Sequence, residues 1–171
     1  MINLRKIEPK DLPFLYQWEN DASVWADGAN HNPLSQQDLR DYIESTTGDI
    51  YKDGQLRLII EEQSSIINHQ SSITTIGCID LFDLDIRNRR AALGMYIAPE
   101  ARGKGVGKEA LRLLEDYAFG HLNLRVLYAV IATNNTACTA LYRHAGYQPS
   151  SPLPAWTLES DAVIWIKTNH Q

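Results

Sequence analysis

The run Pro99-Glu100-Ala101-Arg102-Gly103-Lys104-Gly105-Val106-Gly107-Lys108 limits what this chain can fold into more than any other stretch. An apolar, strand-like segment over 91–98 precedes it. An amphipathic segment over about 105–122 follows, with Ala110, Leu111, Leu114, Tyr117 and Ala118 at helical spacing. A strand, a glycine-rich turn and a helix are therefore joined here. Three glycines at alternate positions let the backbone approach an anion closely. The N–H groups of the helix's first turn, at the positive end of its dipole, favour negative charge. Arg102, Lys104 and Lys108 add side-chain charge to the same loop. The arrangement suits a pyrophosphate.

Spacing separates the nucleotide motifs that share this chemistry. A Walker A loop needs four residues between its first Gly and Gly-Lys, then Ser or Thr. Here three residues separate Gly103 from Gly107-Lys108, and Glu109 stands where the magnesium-binding hydroxyl would be. The dinucleotide fingerprint G-x-G-x-x-G also fails, because Gly103, Gly105 and Gly107 read G-x-G-x-G and no N-terminal βαβ unit surrounds them. A glycine-rich turn without a ligand remains the plain alternative until a second signal is found.

That signal lies downstream. A strand over 126–132 leads to Asn135-Thr-Ala-Cys-Thr-Ala-Leu141-Tyr142-Arg-His-Ala-Gly146-Tyr147. The pattern Arg-x-x-Gly-x-Gly opening a helix, followed by this strand and this segment, resembles the GCN5-related N-acetyltransferase (GNAT) family. The resemblance covers nearly the whole chain and is strong from about Ile76 to Tyr147. The segments IGCIDLF, NRRA, IAPEARGKG and LNLRVLY are most similar to spermidine N-acetyltransferases and ribosomal-protein alanine N-acetyltransferases.

The resemblance implies a single α+β domain of the GNAT acyl-CoA N-acyltransferase type over 1–171, a central mixed, mostly antiparallel sheet flanked by helices. Acceptor-side helices would lie at about 10–45 and the acetyl-CoA-binding core at about 76–147. In that family the loop grips the pyrophosphate of acetyl-CoA, which assigns Arg102, Gly103, Lys104, Gly105, Val106, Gly107 and Lys108 to the cofactor. The backbone of Met95, Tyr96 and Ile97 is the family's usual partner for pantetheine, pairing with it as an added strand would. Asn135 would serve the pantetheine arm and Tyr142 the thiol.

The rest of the chain reads consistently with this. Residues 2–7 alternate as a strand, Asp11 can cap a helix carrying Leu12, Leu15 and Trp18, and Ser35-Gln36-Gln37-Asp38 approximates a capping box before Leu39, Tyr42 and Ile43. Between those helices lies ENDASVWADGANHNP, which the resemblance places over the acceptor site. Strands are expected at 56–61 and 73–82, joined by an exposed hairpin loop, EQSSIINHQSSI; the turn DLDIRNRR then leads into 91–98. A short helix runs from Asn135 to a stop at Gly146, and a last strand covers 162–167. The order is β-α-α-β-β-β-α-β-α-β, allowing for one poorly marked strand near Tyr147.

Composition bounds the function classes. The chain has 171 residues, 44% hydrophobic and 22% charged, which suits one globular domain. A net charge of −5 argues against a general nucleic-acid binder and suits a cationic amine. The N-terminus MINLRKIEPKD has no apolar core of a leader and no run is long enough to span a membrane, so a cytoplasmic protein is expected. Cys78 and Cys138 lack metal-type spacing and read as reduced thiols, and His31, His69, His121, His144 and His170 form no cluster, so no metal is implied. A homo-oligomer stays open.

Acetyl transfer to an amine needs an anchored donor, a neutral amine and a proton for the leaving thiolate. A phenol, with a reference pKa of about 10, is protonated at neutral pH and can donate to a thiolate, which makes Tyr142 the candidate general acid; packing on the helix face is its ordinary role. It lies seven residues after Asn135, on roughly the same helical face. Capping is the ordinary role of Asn135.

The base departs from the family pattern. Relatives commonly carry Arg-Arg-Ala-Glu before the loop, whereas this chain reads Arg89-Arg90-Ala91-Ala92, so Ala92 takes the carboxylate's place. Water or another carboxylate, among Asp80, Asp83, Asp85, Glu61 and Glu62, must serve. Asp80, Asp83 and Asp85 could also attract a polyamine, with Arg87, Arg89 and Arg90 beside them to neutralise that charge. Trp25 is a candidate acceptor contact; Trp18, Trp156 and Trp165 read as core. The leading expectation is an acetyl-CoA-dependent N-acetyltransferase acting on a small-molecule amine, a polyamine first, or on a protein N-terminus. A non-catalytic acyl-CoA-binding sensor is the alternative that Ala92 suggests and Tyr142 opposes.

Overall fold

The computed structural model describes residues 1–22, 32–64, 72–157 and 159–169. In chain order its elements are β1 (Ile2–Lys6), a 3-10 turn (Pro9–Asp11), α1 (Leu12–Glu19), α2 (Gln36–Ser45), α3 (Ile50–Asp53), β2 (Leu56–Gln63), β3 (Ile73–Asp85) and β4 (Arg90–Ile97). Then follow a 3-10 turn (Pro99–Ala101), α4 (Val106–Glu115), a π-helical turn (Asp116–His121), β5 (Val126–Ala132), α5 (Thr136–His144), β6 (Gln148–Leu153) and β7 (Ala162–Thr168). The chain packs as two compact units: Met1–Ile7 with Thr47–Leu124, and Glu8–Thr46 with Arg125–Gln171.

In the first unit β1, β2, β3 and β4 pair in sequence, all antiparallel. Leu58, Ile59 and Ile60 are consecutive and all buried, so the middle of β2 is covered on both faces. Beneath the sheet lies α4, whose Ala110, Leu111 and Leu114 are fully buried. A bulge interrupts the β2–β3 ladder: Ile60 faces Gly77 and Glu61 faces Thr75, which leaves Ile76 as the extra residue.

Three elements differ from expectation. β3 runs on to Asp85 past an irregularity after Phe82, because Asp85 closes the turn by accepting from the N–H (2.9 Å) and Nδ2 (2.7 Å) of Asn88 and so lets Asp85 pair with Arg90. The loop helix keeps an α ladder only to Glu115; Leu122 N–H then reaches back to Tyr117 O at 3.0 Å, the i→i−5 bond of a π-turn. Ala118 and Leu122 remain buried in either ladder, so apolar periodicity could not distinguish them. Finally α3 was not anticipated. Asp49 Oδ1 accepts from Tyr51 N–H (3.0 Å) at one end and Gly54, at φ 71°, stops the other.

The second unit holds α1, α2, α5 and a β5–β7–β6 ladder, again antiparallel. Leu15 and Trp18 of α1 and Leu39 and Ile43 of α2 are buried, as their spacing predicts. Asp11 precedes α1 but does not cap it: it is fully buried and accepts from Glu8 N–H at 2.8 Å, bracing the preceding turn. The capping box is real. Asp38 N–H donates to Ser35 Oγ (3.0 Å) and Ser35 N–H to Asp38 Oδ2 (2.9 Å). β6 is the poorly marked strand near Tyr147, and it carries Pro149 and Pro152, which lack the N–H that a central strand needs. Trp165 is buried, but Trp156 is 60% exposed and corrects the core assignment; it follows the turn in which Ala155 has φ 50°. Trp25 and most of the acceptor-side loop lie outside the described residues, as do 65–71 of the hairpin loop.

Hydrogen bonding by Ser35 holds the Asp38 carboxyl below its usual range. The folded pKa is depressed, so this contribution is present above the unfolded value of about 3.9 and is lost as pH falls through the folded value. Ser35→Ala is expected to cost about 1 kcal/mol at pH 7 and somewhat less at pH 3, read from urea melts at both, because the Asp38 N–H to Ser35 Oγ bond does not titrate and only the Ser35 Oγ–H to Asp38 Oδ2 bond depends on the ionised carboxyl. Equal losses at the two pH values would contradict the assignment.

Candidate functional site

β4 feeds the glycine loop. Ala98 N–H donates to Ile76 O on β3 at 2.8 Å, and in the trans peptide joining Ile97 to Ala98 the carbonyl points the opposite way. The Ile97 C=O therefore projects from the edge of β4 away from β3. Ladder alternation puts the backbone groups of Met95 on that same edge and turns those of Tyr96 toward Cys78 on β3. Two of the three residues expected to offer main chain to a ligand thus share one edge, and Tyr96 belongs to the ladder.

Beyond the 3-10 turn, Gly103 and Gly105 have φ of 72° and 79°, the left-handed region that glycine adopts without strain. A Cβ built on either would meet no heavy atom of the described residues within 4 Å. Among the described residues nothing crowds these two positions, and the glycines serve the turn and whatever approaches it. Val106 is buried and anchors the start of α4, while Lys104 and Lys108 are exposed. The N-caps of α2, α3 and α5 are Ser35, Asp49 and Asn135, each accepting a backbone N–H. The N-cap of α4 is Gly105, which has no side chain to offer, so no cap side chain takes up the first-turn donors. This cradle fits a pyrophosphate.

Two features modulate its charge. Glu109 lies in the first turn of α4, but Arg112 binds it at 2.7 Å and Asp116 at 2.6 Å. The Arg112 hydrogen bond holds the Glu109 carboxyl low and raises the guanidinium, so Glu109 is a neutralised neighbour of the loop. Arg102 turns back on β4: its Nε donates to Ile97 O at 2.8 Å and its guanidinium sits 5.7 Å from the Tyr96 ring centroid.

In the second unit Asn135 Oδ1 accepts from Cys138 N–H at 3.0 Å and caps α5. Tyr142, on the same helix, is buried at 2% exposure, with its ring edge-on to Tyr147 (centroids 4.9 Å, planes 78°). Lys167 Nζ donates to Ala145 O at 2.8 Å at the C-terminal end of α5 and stands 5.7 Å from the Tyr147 ring. The candidate acid is thus held by a stack that a cation closes.

The candidate bases are mostly committed. Ala92 is buried opposite Phe82. Asp80 takes a two-pronged contact from Arg57 (Nη2–Oδ2 2.7 Å, Nε–Oδ1 3.0 Å) across the β2–β3 ladder, so its neutralising partner is not one of Arg87, Arg89 and Arg90. Asp85 binds Asn88 and Arg90, and the Asn88 hydrogen bonds hold its carboxyl low. Glu61 pairs with Arg5 at 2.5 Å. Glu62 is exposed, and Asp83 has φ 50°.

One residue here escaped the sequence reading. A Cβ on Gly77 would stand 2.3 Å from Tyr96 O, so only glycine lets β3 lie against the end of β4 at the bulge. A lone glycine inside the strand pattern TIGCIDL was the available signal. Among the described residues no group of three or more His, Cys, Asp or Glu side chains could hold a metal, and no helix is long and apolar enough to cross a membrane.

Comparison with known proteins bears on the fold and the family. The chain is 28% identical over 155 residues to spermidine N(1)-acetyltransferase of Escherichia coli K12, spanning 89% of this chain and 75% of that protein. It is 29% identical over 150 residues to the putative ribosomal N-acetyltransferase YdaF of Bacillus subtilis, spanning 85% and 77%. The fold superposes with a TM-score of 0.84 on spermidine N-acetyltransferase from Vibrio cholerae, crystallised with CoA and spermine, at 22% identity over 98% of this chain and 95% of that one. The sequence profile of the acetyltransferase (GNAT) domain matches residues 2–148, and the chain belongs to the GNAT acetyltransferase family.

Proposed function

We propose that this acetyl-CoA-dependent N-acetyltransferase acts on a primary amine of a polyamine, which attacks the acetyl group directly in a ternary complex. The uncapped, glycine-led start of α4 beside an open loop carries the donor half of this reading. Acetyl-CoA supplies the activated thioester. The first-turn N–H groups of α4 with Lys104 and Lys108 hold pyrophosphate; the main chain of Met95 and Ile97 receives pantetheine. Asn135 serves the arm, and Tyr142 Oη holds a proton at neutral pH and releases it at the thiol end. With Ala92 in place of a carboxylate and Asp80 bound by Arg57, amine deprotonation falls to water or to another carboxylate.

Charge distribution supports the acceptor. Residues 8–46 carry eight acidic and two basic side chains, whereas the rest of the chain carries thirteen and fourteen. The net negative charge of the protein therefore resides in the segment that the family resemblance gives to the acceptor, and it draws a polycation. Relatives named for spermidine agree with this. The test is thiol release with spermidine, spermine, putrescine and peptides bearing a free N-terminal alanine. Polyamines are expected to turn over with kcat/KM rising about tenfold per pH unit below the amine pKa near 10 and falling with salt. Turnover of peptides alone would redirect the acceptor to protein N-termini; CoA binding without turnover on any amine would mark a sensor. A Vibrio cholerae relative is described as dodecameric, and light scattering tests whether this chain also forms an oligomer.

A further inference from the structure

Arg102 belongs to the basic group that would contact phosphate, yet its side chain is committed elsewhere. Its Nε bonds Ile97 O at 2.8 Å and its guanidinium stands over the Tyr96 ring, both five or six residues back along the chain. The accepted carbonyl lies on the edge of β4 away from β3, and the residue donating to it immediately precedes Gly103. We propose that Arg102 is a positioning residue, a brace that fixes the distance from the glycine loop to the edge of β4 away from β3 and so makes the phosphate-binding and pantetheine-binding parts of the donor site act as one. This rests on the donor assignment above.

The physical reason is the freedom of the loop. Gly103 and Gly105, both at positive φ, bring no side chain that would hold the segment between Arg102 and α4, and among the described residues the Arg102 side chain ties the start of that segment to the strand. A ligand that bridges loop and strand gains from the tie because its two contacts are pre-spaced; a ligand touching only the loop does not. Lys104 and Lys108 then supply the side-chain charge.

The experiment compares CoA with adenosine 3′-phosphate 5′-diphosphate, the fragment that keeps the phosphates and lacks pantetheine, by calorimetry on the wild type, Arg102→Met and Arg102→Gln. The expected result is about a tenfold loss of CoA affinity in R102M with less than a twofold change for the fragment, and partial recovery in R102Q, whose amide can donate to Ile97 O without charge. Equal losses for CoA and fragment, with no recovery in R102Q, would make Arg102 a direct phosphate contact and overturn the proposal. So would unchanged CoA binding in R102M. Failure of the wild type to bind CoA would instead overturn the donor assignment itself, whereas a loss confined to the variants concerns Arg102 alone.

Discussion

Tyr142→Phe is expected to lower kcat by about 10²- to 10⁴-fold, the range for removing a positioned general acid, while the Kd for acetyl-CoA stays within about twofold. Phe keeps the ring, so the edge-on stack with Tyr147 and the burial of the ring survive. The lost proton donor should matter most where the leaving thiolate is most basic. An acetyl thioester of a more acidic thiol should therefore recover part of the rate in the variant. A kcat within threefold of wild type, in a folded variant that binds acetyl-CoA, would remove Tyr142 from the chemistry and leave it as packing.

The second large effect is expected at Gly77→Ala. The new methyl would stand 2.3 Å from Tyr96 O and 3.2 Å from Ile97 Cα, and both neighbours are backbone that cannot swing aside. Overpacking of this kind costs about 1–3 kcal/mol, a fall in melting temperature of about 2–4 °C per kcal/mol for a chain of this length. Because the displaced atoms belong to the end of β4, CoA affinity should drop together with stability. Gly120→Ala provides the control: a Cβ there meets no described atom within 4 Å, and that substitution should be neutral or slightly stabilising. Similar melting temperatures for the two variants would show that the bulge relaxes freely.

Much of this was legible in the sequence because the signals were local. The Pro99–Lys108 run fixed a strand–turn–helix junction, since alternate glycines and an amphipathic segment have few other uses. Ser35 and Asp38 wrote their own capping box, and Asn135 its cap. β5 was bounded to the residue, because a short apolar run carrying Val126, Tyr128, Val130 and Ile131 between turn residues reads as a strand. Where the signals were ambiguous the reading slipped. The π-turn after Glu115 preserves the apolar spacing of an α-helix, the prolines of β6 mask a strand, and Trp156 is an aromatic residue that a turn carries into solvent.

Side-chain partnerships across elements were out of reach. Asp80 sits near three arginines in sequence but bonds Arg57, which is 23 residues away and directly opposite on β2. Arg102 sits in a phosphate motif but bonds the strand behind it. Lys167 lies in the last strand and closes the stack over Tyr147. The Arg57–Asp80 pair was decided by the β2–β3 register, and the other two by where the turn after β4 and the end of α5 bring their carbonyls, none of which spacing along the chain reports. By itself the sequence determined the glycine cradle and the strand and helix on either side of it, because those are patterns within one stretch of chain. Only the tertiary structure decided which charges are already paired and which backbone edge is presented, because those depend on what folds opposite.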